Sequence, residues 1–227
     1  MPRRSATEVA GSRAQTLPAA VQLASVVGLE GLTISRLAER LEMSKSGLVG
    51  RFGSKQQLQL ATLDQAADIF RRTVYEPAAP APPGLPRLSA ICDAWVAYLA
   101  RPPFPGGCFL TTAMVEFDAR PGPLNDAVKR VMRRWLGLLE REATTAIQNG
   151  ELPANTDPKD IAFTINALAV GAKCDFQLNR NPGSLQRARR AMDTVLGPAR
   201  SFVPKTGLTG GSGAGDQHAD EALPSRA

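Results

Sequence analysis

Between Thr33 and Lys55 two short amphipathic patterns are separated by a two-residue turn, and few folds can use such an arrangement. Ile34, Leu37, Ala38 and Leu41 recur at helical spacing behind Thr33, a good N-cap residue. After Glu42-Met43, Ser44 can cap a second helix in which Leu48 and Phe52 stand four residues apart on the buried side. Lys45, Ser46, Val49 and Arg51 are left facing outward. Gly47 and Gly50 each cost about 1 kcal/mol relative to alanine in a helix, so packing of Leu48 and Phe52 has to hold this one. In return, glycine on the outer face lets the backbone approach another surface closely. Two small helices joined so tightly, with polar and basic groups on the second, match a helix-turn-helix, whose second helix enters the major groove of DNA.

The run GLTISRLAERLEMSKSGLVGRFGSKQQLQLATLD resembles the DNA-binding domain of the TetR family of transcriptional regulators. The likeness lies in the Gly-Leu-Thr turn, the Ala38 helix, Met43-Ser44-Lys45-Ser46-Gly47-Leu48, Phe52, and the Ser54-Lys55 pair that opens a fourth helix. Carried over by position, it implies phosphate contacts from Thr33, Ser44 and Lys55. It also implies groove-facing roles for Lys45, Ser46, Gly47, Val49 and Arg51. Two positions depart from the pattern: Val49 replaces an aromatic residue, and Arg51 replaces the histidine of a His-Phe pair. The first change removes a stacking or phosphate contact; the second adds a charge able to bond a phosphate or a guanine edge.

Charge agrees with a polyanionic partner. The chain of 227 residues has a net charge of +6 and a pI near 9.6, and its first sixty residues hold eight basic against four acidic side chains. With 43% apolar residues it can bury a core. No strand-like alternation of any length occurs, so the expected fold class is all-α: an N-terminal three-helix helix-turn-helix domain plus a larger helical ligand-binding and dimerisation domain.

The expected organisation is a flexible basic arm over 1–11, the DNA-binding domain over 12–60, an effector-binding and dimerisation domain over 61–203, and a disordered tail over 204–227. Arg3, Arg4 or Arg13 could touch phosphate or a minor groove from the arm. The first helix is expected from about Ser12 or Thr16 to Val27, ended by Gly28, with its strong part after Thr16 because Pro18 suits only a first helical turn. The fourth helix should run from Ser54 to about Glu76. The Pro77 to Pro86 run then favours extended polyproline backbone and marks the clearest compositional boundary. Further helices are expected over 85–101, 108–119 and 124–150. Two more should follow, one capped by Asp157 to about Leu178 and one capped by Ser184 to about Phe202.

The penultimate helix is apolar over much of its circumference, and such helices are buried on more than one side. With the last helix it is expected to form a two-fold dimer interface through Ile165, Leu168, Ala172, Leu185, Ala188, Met192 and Val195. Burial within a single subunit is the competing reading. The TetR resemblance implies dimer contacts on the two corresponding helices.

Catalysis is poorly supported. The one histidine, His218, lies in the Gly-rich tail, so no ordered Ser-His-Asp, Cys-His or histidine-zinc arrangement can form. Glu116 and Asp118 are two apart on a helix and point away from each other. No cofactor and no metal site is expected. Cys92, Cys108 and Cys174 are odd in number and far apart, which fits a reducing cytoplasm better than a disulfide framework. Of the three, Cys108 follows a Gly-Gly turn and is expected to be the most accessible. No apolar stretch is long enough to span a bilayer, and no targeting segment is evident.

The larger unit has the side chains to line a small-molecule cavity: Trp95, Tyr98, Phe109, Met114, Phe117 and Trp135, with Glu116, Asn166 and Lys173 as polar anchors. Ordinary core packing is the alternative for each aromatic. Three readings stay open: a dimeric repressor released from a palindromic operator by an unknown small molecule, a regulator without an effector, and a ligand-binding protein that has lost operator recognition.

Overall fold

The computed structural model describes residues 6–197, with side chains from residue 15 onward. Nine α-helices and no strand are found among the described residues. In order they are α1 (Ala6–Gly31), α2 (Ile34–Arg40), α3 (Lys45–Phe52), α4 (Lys55–Phe70), α5 (Leu85–Ala100), α6 (Phe109–Phe117), α7 (Pro123–Gln148), α8 (Pro158–Asn179) and α9 (Gly183–Leu196). A π-helical turn, Arg71–Tyr75, extends α4.

Helix starts follow local chemistry. Thr33, Ser44, Ser54 and Asp157 have extended backbone, and their side chains accept the N–H of Arg36, Gly47, Gln57 and Lys159 at the starts of α2, α3, α4 and α8. Each such cap stabilises by about 1 kcal/mol. Prolines lie in the first turn of α5, α7 and α8, where no N–H is needed.

Three boundaries differ from expectation. Helix α1 begins at Ala6, so Pro18 lies in its interior and the expected arm is helical from that residue; Arg3 and Arg4 lie outside the described residues. Gly28, with φ 77° and ψ 164°, stops the first helical run as expected, but a further short helical stretch continues beyond it to Gly31. In the third case α9 starts at Gly183, so Ser184 lies inside the helix and donates to Asp175 of α8 and to the Asn181 carbonyl instead of capping. The end expected near Phe202 and the tail, with His218, fall outside the described residues.

The Pro77–Pro86 run is not extended. Its backbone folds into turns, with Ala78 and Ala79 N–H both donating to the Tyr75 carbonyl. Two carboxylates of the α7 end clamp its exit: Glu142 accepts Gly84 N–H at 3.0 Å and Glu151 accepts Leu85 N–H at 2.8 Å. Glu142 is buried and also pairs with Arg87 at 3.3 Å. A side chain at Gly84 would collide with Glu151, and its φ of 101° also favours glycine.

A continuous apolar core runs from Ala20 and Val21 in α1, through Leu48 and Phe52 in α3, to Met192 and Leu196 in α9. Phe70, at the end of α4, stands at the middle of an aromatic cluster. Its ring makes edge contacts with Trp95 at 5.8 Å, Tyr98 at 5.3 Å and Trp135 at 4.8 Å. Each pair adds about 0.5–1.5 kcal/mol beyond simple burial, so the helix leading out of the N-terminal unit is anchored among α5 and α7.

Candidate nucleic-acid interface and effector region

Helix α3 is too short to persist alone in water. It is held by Leu48 and Phe52, at 0% and 1% exposure, each contributing roughly 1.5–3 kcal/mol by burial. The Ser44 hydroxyl accepts Gly47 N–H at 3.2 Å, and a Cβ at Gly47 would stand 3.0 Å from that oxygen, so glycine keeps the cap compact. Gly53, with φ 78°, ends the helix. This fixes the helical phase, and Lys45, Ser46, Val49 and Gly50 form one exposed face. Among the described residues nothing lies within 4 Å of a Cβ built at Gly50. Internal packing therefore gives no reason for that glycine.

Arg51 is a correction to the expected outward face. It is half-buried, and its Nη1 donates to the Met43 sulfur at 3.6 Å across the helix-turn-helix turn. Here the guanidinium braces the turn. Thr33 and Ser44, expected at phosphates, spend side-chain lone pairs on their caps. Lys55 Nζ is bonded to Glu30 at 2.6 Å, and that bond, ahead of other influences, holds the Glu30 carboxyl below its ordinary range. Lys55 is only part-exposed, and Glu30 occupies its ammonium group.

The broken end of α1 ties this unit to the rest. Glu116 of α6 accepts two consecutive backbone N–H groups, Leu29 and Glu30, both at 2.8 Å. Those donors are orphaned by the break at Gly28, and a carboxylate at a helix start complements them electrostatically. A Cβ on Gly28 would lie 2.6 Å from the Glu116 carboxylate. From α4, Gln59 Nε2 donates to the Leu29 carbonyl at 2.6 Å in a buried bond. One short segment of α1 is thus gripped by α6 on one side and by α4, through Gln59 and Lys55, on the other. The 106–107 turn adds to the grip: Gly106 N–H donates to Ser25 Oγ, and a Cβ on Gly106 would lie 1.7 Å from the Ser25 carbonyl oxygen. Sequence reasoning offered Glu116 as a pocket anchor, and its capping role was invisible because its partners lie 86 and 87 residues away.

The expected cavity is nearly closed. Trp95, Tyr98, Phe109, Phe117 and Trp135 are all buried, and the space bordered by Phe70, Trp95, Met114, Trp135 and Asn166 amounts to only about 10 Å³. That is room for about one water molecule. Tyr98, Phe109 and Phe117 are not on its wall; Tyr98 packs against Phe70 at 5.3 Å and Phe109 against Phe104 at 6.1 Å. The cavity is polar at its edges, since Trp95 Nε1, Trp135 Nε1 and Asn166 Oδ1 are buried without a hydrogen-bond partner. Lys173 bonds Thr112 at 3.3 Å rather than lining this space. On the outer side of Phe70, Leu110 and Trp135 lies an open groove of about 630 Å³ between α4 and α7. Phe70, which closes the inner space, was legible only as part of a helical stripe.

The set expected at a subunit interface also needs correction. Ile165, Ala172, Leu185, Ala188 and Met192 are buried within the single chain, where α8 and α9 pack on each other and on α5 and α7. Leu168 and Val195 are half-buried. The outer face of α8 carries a different stripe: Phe163 (72% exposed), Ala167, Gly171, Cys174 and Leu178 (83% exposed), at three- and four-residue spacings. The cysteines reverse the expected order of access. Cys108 and Cys92 are buried and Cys174 is exposed; burial pushes the Cys92 thiol up to about 12.

Among the described residues no group of three or more His, Cys, Asp or Glu could hold a metal ion, and no helix is long and apolar enough to cross a membrane.

Comparison with known proteins agrees with this geometry. Residues 17–62 match the bacterial regulatory proteins of the tetR family, and residues 84–192 match the tetracyclin repressor-like C-terminal domain. No curated protein sequence matches the chain. Among solved structures, a TetR transcriptional regulator from Chloroflexus aurantiacus is 26% identical with a TM-score of 0.77, over 83% of this chain and 95% of that one. A cysteine mutant of the TetR-family regulator CifR, complexed with 26-bp operator DNA, is 22% identical with a TM-score of 0.66, over 86% and 97% of the two chains. AibR, in complex with isovaleryl coenzyme A and operator DNA, is 19% identical with a TM-score of 0.64, over 80% and 96%. The helix-turn-helix, the larger helical unit behind it and the two family matches lead to one conclusion: the chain belongs to the TetR family of transcriptional regulators, DNA-binding proteins that are not enzymes.

Proposed function

We propose that this protein is a cytoplasmic homodimeric repressor that binds a palindromic operator and releases it when a small-molecule effector is bound. The observation that carries the reading is the exposed Lys45, Ser46, Val49 and Gly50 face on a helix whose opposite side is locked by Leu48 and Phe52. Lys45 supplies charge at the groove, Ser46 a hydrogen-bonding group and Val49 an apolar contact for a thymine methyl. Gly50 admits close backbone approach. Lys55 contributes a phosphate contact after exchange with Glu30, and Thr33 and Ser44 position the helices that carry the others.

Two copies joined along Phe163, Ala167, Gly171, Cys174 and Leu178 would present two such faces. Small residues at the middle of that stripe, beside a shallow valley between α8 and α9 lined by Leu168, Ala188 and Ala191, allow close helix approach. Adjacent major grooves demand a spacing of roughly 34–36 Å between the two recognition helices. The segment Leu29–Glu30, held by both α6 and α4, is a route by which the effector region could change that spacing. AibR carries isovaleryl coenzyme A together with operator DNA, which supports a small-molecule effector here.

Selection of bound duplexes from random DNA, followed by a salt titration, tests the reading. The expected result is a palindromic consensus with affinity falling steeply as salt rises. Weak, sequence-blind binding would refute operator recognition. Phe163→Asp should yield monomers by sedimentation and lose operator binding; a dimer unchanged by it would move the interface elsewhere. A regulator with no effector is favoured by one observation, the filled aromatic space of about 10 Å³. Operator affinity that stays constant across a broad metabolite panel would support it.

A further inference from the structure

We infer that the groove between α4 and α7 is the effector site and that it takes an organic anion with an apolar body; the inference rests on the reading of the protein as an effector-controlled regulator. The groove's volume, about 630 Å³, falls in the range usual for small-molecule sites. Its charges decide the sign of the ligand. Arg130 and Arg134 stand one helical turn apart on α7, both exposed, and neither has an ion pair among the described residues. The groove's third arginine, Arg71, is committed to Asp68 and Glu76, and Asp68 is shared with Arg72 at 3.0 Å. Asp64 is the one groove acid without an ion pair among the described residues. Two uncommitted guanidiniums against one uncommitted carboxylate select an anion.

Solvent-exposed guanidiniums contribute modestly, so the apolar floor supplies most of the affinity. Tyr75, Val131 and Leu138 line the groove beside Phe70 and Trp135. Those last two rings are also the wall of the inner space, where Trp95 Nε1, Trp135 Nε1 and Asn166 Oδ1 lack partners. Each such buried group costs about 1–3 kcal/mol. An apolar ligand tail that displaces the Phe70 ring enters this space and changes the surroundings of both indoles. Phe70 is the last residue of α4 before the π-helical turn, an irregularity found often at functional sites. Ring displacement there acts on the helix whose other end carries Lys55 and Gln59.

The full chain contains only two tryptophans, Trp95 and Trp135, so its intrinsic fluorescence reports on this wall alone. The test is a calorimetric and fluorescence titration of the full chain with octanoate, 4-butylbenzoate and octyl phosphate, with octanol as the neutral control. At least one anion is expected to bind below about 1 mM with a shift in tryptophan emission, and octanol about tenfold more weakly. The double variant Arg130→Ala/Arg134→Ala should lose about tenfold for that anion and nothing for octanol. Its melting temperature should match the parent's, because both side chains are exposed and form no ion pair among the described residues. Octanol equal to the anions, no anion binding below about 1 mM, or a double variant that binds like the parent would overturn the site. Unchanged tryptophan emission on binding would overturn it too, leaving the inner polar atoms to a buried water. Anion binding that meets every expectation but leaves operator affinity unchanged would keep the site and refute effector control. Release of operator by some other compound, without anion binding in the groove, would do the reverse.

Discussion

The recognition unit and the aromatic region behind it handle polar groups in opposite ways. Around α3 the caps are closed, Ser44 onto Gly47 and Ser54 onto Gln57, and the groups free to act point at solvent. Around Phe70 the unpaired polar atoms are inside, on Trp95, Trp135 and Asn166. A surface that reads a rigid duplex benefits from being finished before the partner arrives, because little ordering entropy then remains to be lost. A region that must respond to a ligand benefits from being incomplete, since a ligand shifts an equilibrium only by the free energy that distinguishes the two states. The Leu29–Glu30 segment is bonded to α6 through Glu116 and to α4 through Gln59 and Lys55.

That contrast can be broken most forcefully at the joint. Gly106→Ala would drive a Cβ into the Ser25 carbonyl, and backbone on both sides cannot yield. A loss of about 3 kcal/mol is expected, visible as a drop of roughly 6–12 °C in thermal denaturation. An unchanged melting temperature would mean that α1 is not docked on this turn.

Glu116→Gln is gentler and more informative. It keeps the shape but weakens two charge-assisted bonds to Leu29 and Glu30. About 1–2 kcal/mol of stability should go in urea denaturation. If Glu116 transmits between the units, the response of operator affinity to any effector should shrink as well, whereas a purely structural role would leave that response intact.

Gly50→Ala sharpens the comparison by giving opposite signs for folding and binding. With open space around its Cβ, alanine should stabilise α3 by about 0.5–1 kcal/mol. Operator binding should weaken at the same time, as measured by gel shift. A variant that is both more stable and equally tight would remove the close-approach argument.

The smallest effect concerns pH. Lys55 holds the Glu30 carboxyl below its ordinary 4.5, so the folded state binds that proton less readily than the unfolded chain. The stabilisation is therefore full above 4.5 and is lost as pH falls through the lowered folded value. Both partners are 40–50% exposed and screened, so the contribution is at most a few tenths of a kcal/mol. Lys55→Met should flatten this part of the acid-denaturation curve. It should also weaken operator binding about equally for all sequences, as expected of a phosphate contact.

Much of this was legible before any coordinates. The caps at Thr33, Ser44, Ser54 and Asp157 and the phase of α3 involve residues two to four apart, so local spacing is sufficient evidence for them. The all-α fold follows from the same periodicities. Arg51 was misread because a guanidinium on the edge of the face can fold back onto Met43, a choice that depends on the turn's three-dimensional path. Pro18 by its chemistry suits a first turn, whereas packing of Ala20, Val21 and Ala24 sustains the helix around it.

Sequence by itself therefore determined the helices, their family and the exposure of Lys45, Ser46 and Val49 on α3, because those depend on short-range patterns along one chain. Tertiary structure alone decided which side of α8 stays exposed, that Cys174 and not Cys108 meets solvent, that Glu116 caps a broken helix, and that Phe70 closes the aromatic space. An apolar residue on a nearly all-apolar helix carries no sign of which side its neighbours occupy. That is set by helices up to a hundred residues away in the chain, and only their packing reveals it.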